Sequence, residues 1–186
     1  MIHRKYFFDN IKYYLFGSFN QQQVDGLNLF LDWHDFQNPE IPDKYHLDDR
    51  SFSYVLATVY HETAATMQPV KEYGSESYLK SKPYYPWYGR GYVQLTWEEN
   101  YQKQDDKLGL GGQLMANPDL ALDPNVALKI ILEGMCDGDF TSKKLGEFFT
   151  DQLTDWYDAR TIVNGHDCAS QIATYGEKFC NAVTGI

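Results

Sequence analysis

The sequence predicts a mainly α-helical domain with one irregular lobe near its middle. Apolar residues recur at helical spacing over most of the chain. Residues 70–90 lose that spacing and carry Gly74, Pro83, Pro86 and Gly89. The helical stretches also open on residues that cap helices. The 186 residues fit one domain, read as 1–186.

Residues 3–15 place Tyr6, Phe7, Ile11, Tyr14 and Leu15 on a helical repeat that Gly17 and Ser18 end. Asn20, with Gln23 three residues later, is a capping box for a second helix with the apolar face Val24, Leu27, Leu29, Phe30 and Leu31. Residues 36–47 hold Pro39 and Pro42 and read as a loop. Asp48 or Asp49 caps a third helix, apolar at Tyr54, Val55, Leu56, Val59 and Tyr60. It is expected to run through His61 and Glu62 until Pro69, which disfavours helix at Gln68. The long segment 70–90 has room for a short hairpin, and loops of that length are usually functional. Thr96-Trp97-Glu98-Glu99 reads as a second capping box, and Asp123-Pro124 opens a helix through Met135. Short helices are expected near 142–149, 152–163 and 169–183.

Composition excludes several classes of function. There are 16 basic and 26 acidic residues, a formal charge of −10, so the footprint of a nucleic-acid binder is absent. A chain 43% hydrophobic and 23% charged does not read as disordered. No uncharged apolar stretch approaches a membrane span, so membrane insertion is not expected. Asp9 and Lys12 interrupt any apolar run in the first 19 residues, which predicts no signal peptide and synthesis in the cytoplasm. Cys136, Cys168 and Cys180 show no C-x-x-C spacing and read as buried thiols of a reducing compartment. Part of the aromatic share of 15 tyrosines, 11 phenylalanines and 4 tryptophans must be core, and tyrosine in such number also suits a cleft that stacks on sugars and bonds their hydroxyls.

Candidate chemistry follows from elimination and placement. His61-Glu62 would need a second histidine at position 65 to bind zinc, and that residue is Ala65. His3, His34, His46 and His166 have no ligand spacing, so neither a metal nor another cofactor is expected. No G-x-S-x-G elbow is present. Glu62 closes an apolar helical half, with Thr58, Val59, Ala65 and Thr66 as helical neighbours. An apolar setting would favour a protonated carboxyl and general-acid work, whereas a plain helix glutamate would pair with a base or hydroxyl. Glu72 and Glu76 lie in the irregular lobe. In Tyr88-Gly89-Arg90-Gly91-Tyr92-Val93-Gln94-Leu95-Thr96-Trp97, two glycines allow close backbone approach, and an amide and a hydroxyl precede a helix.

Taken together, His61-Glu62-Thr63, Tyr88-Gly89-Arg90-Gly91 with Gln94-Leu95-Thr96, Asn100-Tyr101 and Ile162-Val163-Asn164-Gly165 resemble glycoside hydrolase family 19. That family includes plant-type chitinases and bacteriophage endolysins, and the short chain looks more like the endolysin branch. The resemblance implies a lysozyme-like, two-lobed helical fold with a small irregular or β-hairpin lobe. It implies catalytic roles for Glu62 as general acid, Thr96 as a holder of the attacking water, and Glu72 as the base, with Glu76 as runner-up. His61, Tyr88, Gln94, Asn100 and Asn164 would line the sugar cleft, and Arg90 would be structural. The implied activity is inverting cleavage of β-1,4 bonds in peptidoglycan, with chitin as the alternative substrate. A non-catalytic glycan-binding or virion protein on the same fold is the rival reading. The expected working form is a monomer made in a bacterial host and acting on the cell wall after release. The family often has two glycines after His-Glu-Thr; here they are Ala64 and Ala65. The expected geometry has the third helix ending before Val70, so that Glu72, not Glu76, faces Glu62 across an open cleft.

Overall fold

A computed structural model describes residues 1–36 and 47–185. The loop expected over 36–47, and His46 with it, therefore lies outside the described residues except at its two ends. Among the described residues the α-helices and strands run in order α1 (Arg4–Ile11), α2 (Gln21–Asp35), α3 (Asp49–Glu62), β1 (Val70–Lys71), α4 (Glu76–Lys80), β2 (Arg90–Gly91), α5 (Glu98–Lys107), α6 (Gln113–Ala116), α7 (Pro124–Asp137) and α8 (Ala169–Thr184). No described helix is long and apolar enough to cross a membrane.

The capping residues do what their chemistry dictates. Asn20 Oδ1 accepts from Gln23 N–H at 2.9 Å while the Gln23 side chain accepts from Asn20 N–H, so both halves of the box starting α2 are formed. Asp48 accepts from Ser51 N–H at 2.7 Å to start α3, and Asp123 accepts from Asn125 and Val126 N–H ahead of Pro124 to start α7. The first segment is an α-helix to Ile11, then a π-helical turn over Lys12–Phe16. Its buried face is Phe7 and Ile11, with Tyr6 and Tyr14 turned outward.

Residues 51–59 of α3 are buried on every side, which makes it the central helix. It packs along α8, whose inner face reads Ile172, Gly176, Phe179 and Val183. Gly176 leaves room for the Trp156 ring, from which a Cβ there would stand 2.6 Å. A second, smaller apolar cluster gathers Leu95, Tyr101, Leu114, Ala121 and Ile130. α7 joins the two, with Ile130 in the small cluster and Ala127, Leu128, Ile131, Leu132 and Met135 in the large one. The irregular lobe does contain a hairpin. β1 and β2 pair antiparallel, with Val70 opposite Gly91 and Lys71 opposite Arg90, and α4 lies between them in sequence.

Four expectations need correction. α3 stops at Glu62, seven residues short of Pro69. Ala64 N–H bonds to His61 O at 3.2 Å and Ala65 N–H to Tyr60 O at 2.7 Å, the two bonds of a Schellman stop. Ala64, Ala65 and Met67 all have positive φ (49°, 64° and 55°). The usual sequence signal is a glycine at the left-handed position, and alanine occupies it here. α5 opens on Trp97, with φ 76° and no side-chain cap, so the Thr96 box does not form. The helices near 142–149 and 152–163 shrink to 3₁₀ turns at Leu145–Glu147 and Asp158–Ile162, while α6 and the 3₁₀ turn Pro118–Leu122 were not foreseen. Cys168 is exposed at the head of α8, Cys136 and Cys180 are half-buried, and among the described residues none of the three is in a disulfide.

A left-handed alanine costs about 1 kcal/mol that glycine avoids, less glycine's larger unfolded-state entropy. Ala64→Gly is therefore expected to stabilise by roughly 0.5 kcal/mol. The midpoint of urea unfolding should rise, and a fall would contradict this account of the turn.

Candidate active site

Glu62 is the last residue of α3, and its surroundings are set by the left-handed turn that follows it. Thr63 Oγ1 donates to Val59 O at 2.7 Å and accepts from Met67 N–H at 3.1 Å, tying the turn to the helix end. α2 clamps the turn from outside. Gln23 Nε2 donates to Ala65 O at 2.9 Å, Gln68 Nε2 donates to Gln22 O at 2.7 Å, and Gly26 lies against Met67 O.

The setting of Glu62 is ionic rather than apolar, which corrects the sequence expectation. Arg160 Nη1 donates to Glu62 Oε1 at 2.5 Å, across 98 residues. The arginine side chain is 3% exposed and the glutamate 19%. Because α3 ends at Glu62, Ala65 and Thr66 are not its helical neighbours. Arg160 Nε donates to Asp167 O, so the turn after Asn164-Gly165 holds the guanidinium in place. Tyr54 is 1% exposed and lies within reach of the charges of Arg160, Asp155 and Glu62. Burial pushes its phenol above the usual tyrosine range. The sequence reading missed Arg160, although it stands two residues before the Ile162-Val163-Asn164-Gly165 motif.

Glu72 follows β1 directly. Its N–H bonds to Gly89 O at 2.7 Å, and its carboxylate accepts from Gly89 N–H at 3.0 Å and from Tyr84 Oη at 2.8 Å. Both carboxylate oxygens are therefore held by donors, and the hydrogen bond to Glu72 pushes the Tyr84 phenol up. Tyr84 has no sequence signal, being twelve residues from Glu72. Glu76 stands apart in the first turn of α4, 78% exposed and paired with Lys80 at 2.6 Å.

The Tyr88–Trp97 segment follows and contains β2, which pairs with the strand just before Glu72. Arg90 is the structural residue the motif implied. Its guanidinium lies 3.7 Å from the Tyr88 ring centroid and donates to Pro86 O, Tyr88 O, Tyr101 Oη and Asp119 Oδ1. Tyr88 is 7% exposed, and its ring is covered by that guanidinium, so the ring serves Arg90 rather than an open cleft wall. Gln94 Nε2 donates to Val70 O at 3.0 Å, with its amide packed on Gly89, and so fastens the hairpin. Thr96 Oγ1 donates to Gln94 O at 2.8 Å, and Asn100 Nδ2 donates to Thr96 O at 2.8 Å. His61 is half-buried at the end of α3, while Asn164 is exposed and its side chain accepts from Gly165 N–H.

Gln94, Thr96 and Asn100 share one concavity with Val93, Trp97, Lys103, Gln104, Asp139, Phe140 and Val163. Its lining does not include Glu62 or Glu72. Since Thr96 caps nothing, Thr96→Val is expected to spare the roughly 1 kcal/mol that loss of a cap costs. Activity retained in Thr96→Ser and lost in Thr96→Val, at matched folded fraction, would read its contact with water. Equal activity in the two would remove that role.

On the same wall, burial alone would push the Asp139 carboxyl up, but hydrogen bonds from Lys103, Lys107 and Gln104 outweigh it and hold it below the usual carboxylate range. Its contribution to stability is full above the unfolded carboxylate value and is lost as pH falls through the lower folded value. Asp139→Asn is expected to cost about 1–2 kcal/mol at pH 7. That cost should fade in acid, as pH falls through the lowered folded value and the native group takes up its proton. A cost independent of pH would contradict the ionic origin.

Against solved structures, chitinase C from Streptomyces griseus HUT6037 matches at a TM-score of 0.54 and 22% identity, covering 99% of this chain and 76% of that one. A chitinase C mutant matches at 0.52 and 21%, covering 98% and 92%. The chain has the chitinase C fold. On that fold, α3 delivers Glu62 and the hairpin delivers Glu72. Among curated proteins, an acidic 26 kDa endochitinase of Solanum lycopersicum is 46% identical over 44 residues, 23% of this chain and 17% of that protein. Chitinase 11 of Oryza sativa subsp. japonica is 35% identical over 96 residues, 50% of this chain and 37% of its own length. The chain thus spans well under half the length of these curated relatives. No family model matches it. These likenesses support the resemblance to glycoside hydrolase family 19 that the motifs carry.

Proposed function

We propose that this chain is a glycoside hydrolase that cuts β-1,4 bonds beside N-acetylglucosamine-type sugars by a single, inverting displacement. The observation that carries the reading is a pair of oriented carboxylates on separate parts of the fold: Glu62 on Arg160 at the end of α3, and Glu72 between Tyr84 and Gly89 on the hairpin. Glu62 gives its proton to the leaving glycosidic oxygen. The Arg160 guanidinium stabilises the carboxylate that remains after the proton has gone. Glu72 takes a proton from a water held with the help of Thr96, and that water attacks the anomeric carbon from the opposite face. Such displacement works with carboxylates roughly 6.5–9.5 Å apart.

Peptidoglycan is the first substrate reading, because Pro69-Val70-Lys71-Glu72-Tyr73-Gly74 fits the endolysin pattern. The enzyme would then act on the cell wall after release from the cell that makes it. Chitin is the second reading, favoured by the names of the curated relatives and by the net charge of −10, which repels an anionic wall polymer. Incubation with purified sacculi and, separately, colloidal chitin is expected to release reducing ends of inverted anomeric configuration from one of them. Net retention would overturn single displacement, and release from neither would overturn the activity.

A further inference from the structure

Trp97 is a local misfit. A bulky aromatic at φ 76° and ψ 141° occupies backbone space that L-residues avoid. The residue does not use the position to cap α5, since no side-chain cap bond is made there. The conformation is held instead by a backbone bond from Trp97 N–H to Trp87 O at 2.8 Å. Its consequence is placement. The indole is 44% exposed, next in sequence to Thr96, on the wall of the concavity that Thr96 and Asn100 also line.

The ring is also braced. Tyr84 meets it edge to face, with centroids 5.2 Å apart and an interplanar angle of 73°. The same Tyr84 donates its hydroxyl to Glu72 Oε1 at 2.8 Å. An exposed indole is thus linked through one tyrosine to a carboxylate whose other oxygen is held by the backbone of Gly89. The same concavity is lined by Thr96, Asn100 and Lys103, which carry a hydroxyl, an amide and an ammonium. An apolar face with polar groups at its edge fits the C–H face and rim hydroxyls of a pyranose ring.

We infer that Trp97, braced by Tyr84, is a stacking subsite for one sugar of the polymer and that Tyr84 is a positioning residue for Glu72. The inference rests on the proposed glycosidase reading and adds two residues to it. The two side chains divide the work: Trp97 holds a sugar, and Tyr84 keeps the Glu72 carboxylate aimed.

The test uses the full chain carrying Glu62→Gln, which binds without cleaving, and the N-acetylglucosamine tetramer as probe, read by calorimetric titration. Adding Trp97→Ala is expected to weaken binding about tenfold, whereas adding Trp97→Phe should restore most of it. In the Glu62-intact chain, Tyr84→Phe keeps the ring and removes the hydroxyl. It is expected to lower kcat more than it raises KM, which a merely structural role would not do. Thermal unfolding checks that each variant is folded, and Trp97→Phe serves if Trp97→Ala is not: indole fluorescence of the Glu62→Gln chain should change on adding tetramer, and the change should shrink in Trp97→Phe. Unchanged affinity in Trp97→Ala, or an unchanged fluorescence response in Trp97→Phe, overturns the subsite and leaves the glycosidase reading standing. A Glu62→Gln chain that binds neither tetramer nor sacculi overturns that reading, and the subsite with it.

Discussion

Glu62→Gln is expected to lower hydrolysis on the order of 10²–10⁴-fold, the usual contribution of a general acid. The substitution keeps the length and shape of the side chain and leaves an amide oxygen to accept from Arg160 Nη1, now 2.5 Å from the carboxylate. It removes the transferable proton and the charge opposite a guanidinium that is 3% exposed. A stability loss of about 1–3 kcal/mol should therefore accompany the loss of rate, and activities must be compared at equal folded fraction. Arg160→Lys keeps the positive charge but not the planar fork that reaches Glu62 and Asp167 O together. It is expected to cost about 10²-fold in rate, as removal of one aimed donor does. If the two residues act as a unit, the double variant should be little worse than Glu62→Gln alone. Near-native hydrolysis by a folded Glu62→Gln chain would remove Glu62 from the mechanism, and additive losses would separate Arg160 from it.

Gly26→Ala is expected to destabilise the fold by about 3 kcal/mol, at the upper end of overpacking effects. A Cβ on Gly26 would stand 2.0 Å from Met67 O and 2.9 Å from Gln68 Nε2. The first of these is backbone in a turn with three left-handed residues, so it has little room to yield. Relief requires α2 to move off the turn that follows Glu62, breaking the Gln23 bond to Ala65 O and the Gln68 bond to Gln22 O. For a chain of this size the loss amounts to a melting temperature lower by roughly 6–12 °C. Gly146→Ala is the control, because no atom lies within 4 Å of its Cβ position. Equal melting temperatures for the two would show that the α2 clamp does not matter. Hydrolysis should fall further than stability in Gly26→Ala, because the turn that loses its clamp directly follows Glu62.

The helices that the sequence announces best are those with an oxygen-bearing cap and a one-sided apolar repeat. Asn20, Asp48 and Asp123 start α2, α3 and α7 as expected, since a cap is satisfied by backbone N–H groups two or three residues away. The misread boundaries share a different cause. Ala64 and Trp97 take left-handed backbone against their own preference, and no local rule predicts that. Thr96 has the composition of a cap, yet its hydroxyl turns to Gln94 O, because the chain between β2 and α5 is bound on both sides by Arg90 and Trp87.

At the candidate site, motif and spacing named Glu62, Gln94, Thr96 and Asn100 as candidates and preferred Glu72 to Glu76, which the structure leaves facing solvent. Their surroundings were not. The sequence by itself determined the helical class, the break between Glu62 and Glu72, and the glycine-arginine-glycine turn, because each rests on contacts between residues close along the chain. Only the tertiary structure decided that Arg160 meets Glu62 from 98 residues away, that Tyr84 holds Glu72, and that Tyr88 lies beneath Arg90 rather than in an open cleft. These pairings join segments whose separation in sequence says nothing of their distance in space. Packing orders Arg160 through its bond to Asp167 O and Tyr84 through its contact with the Trp97 ring, and the side chains so fixed come within hydrogen-bond reach of the two carboxylates.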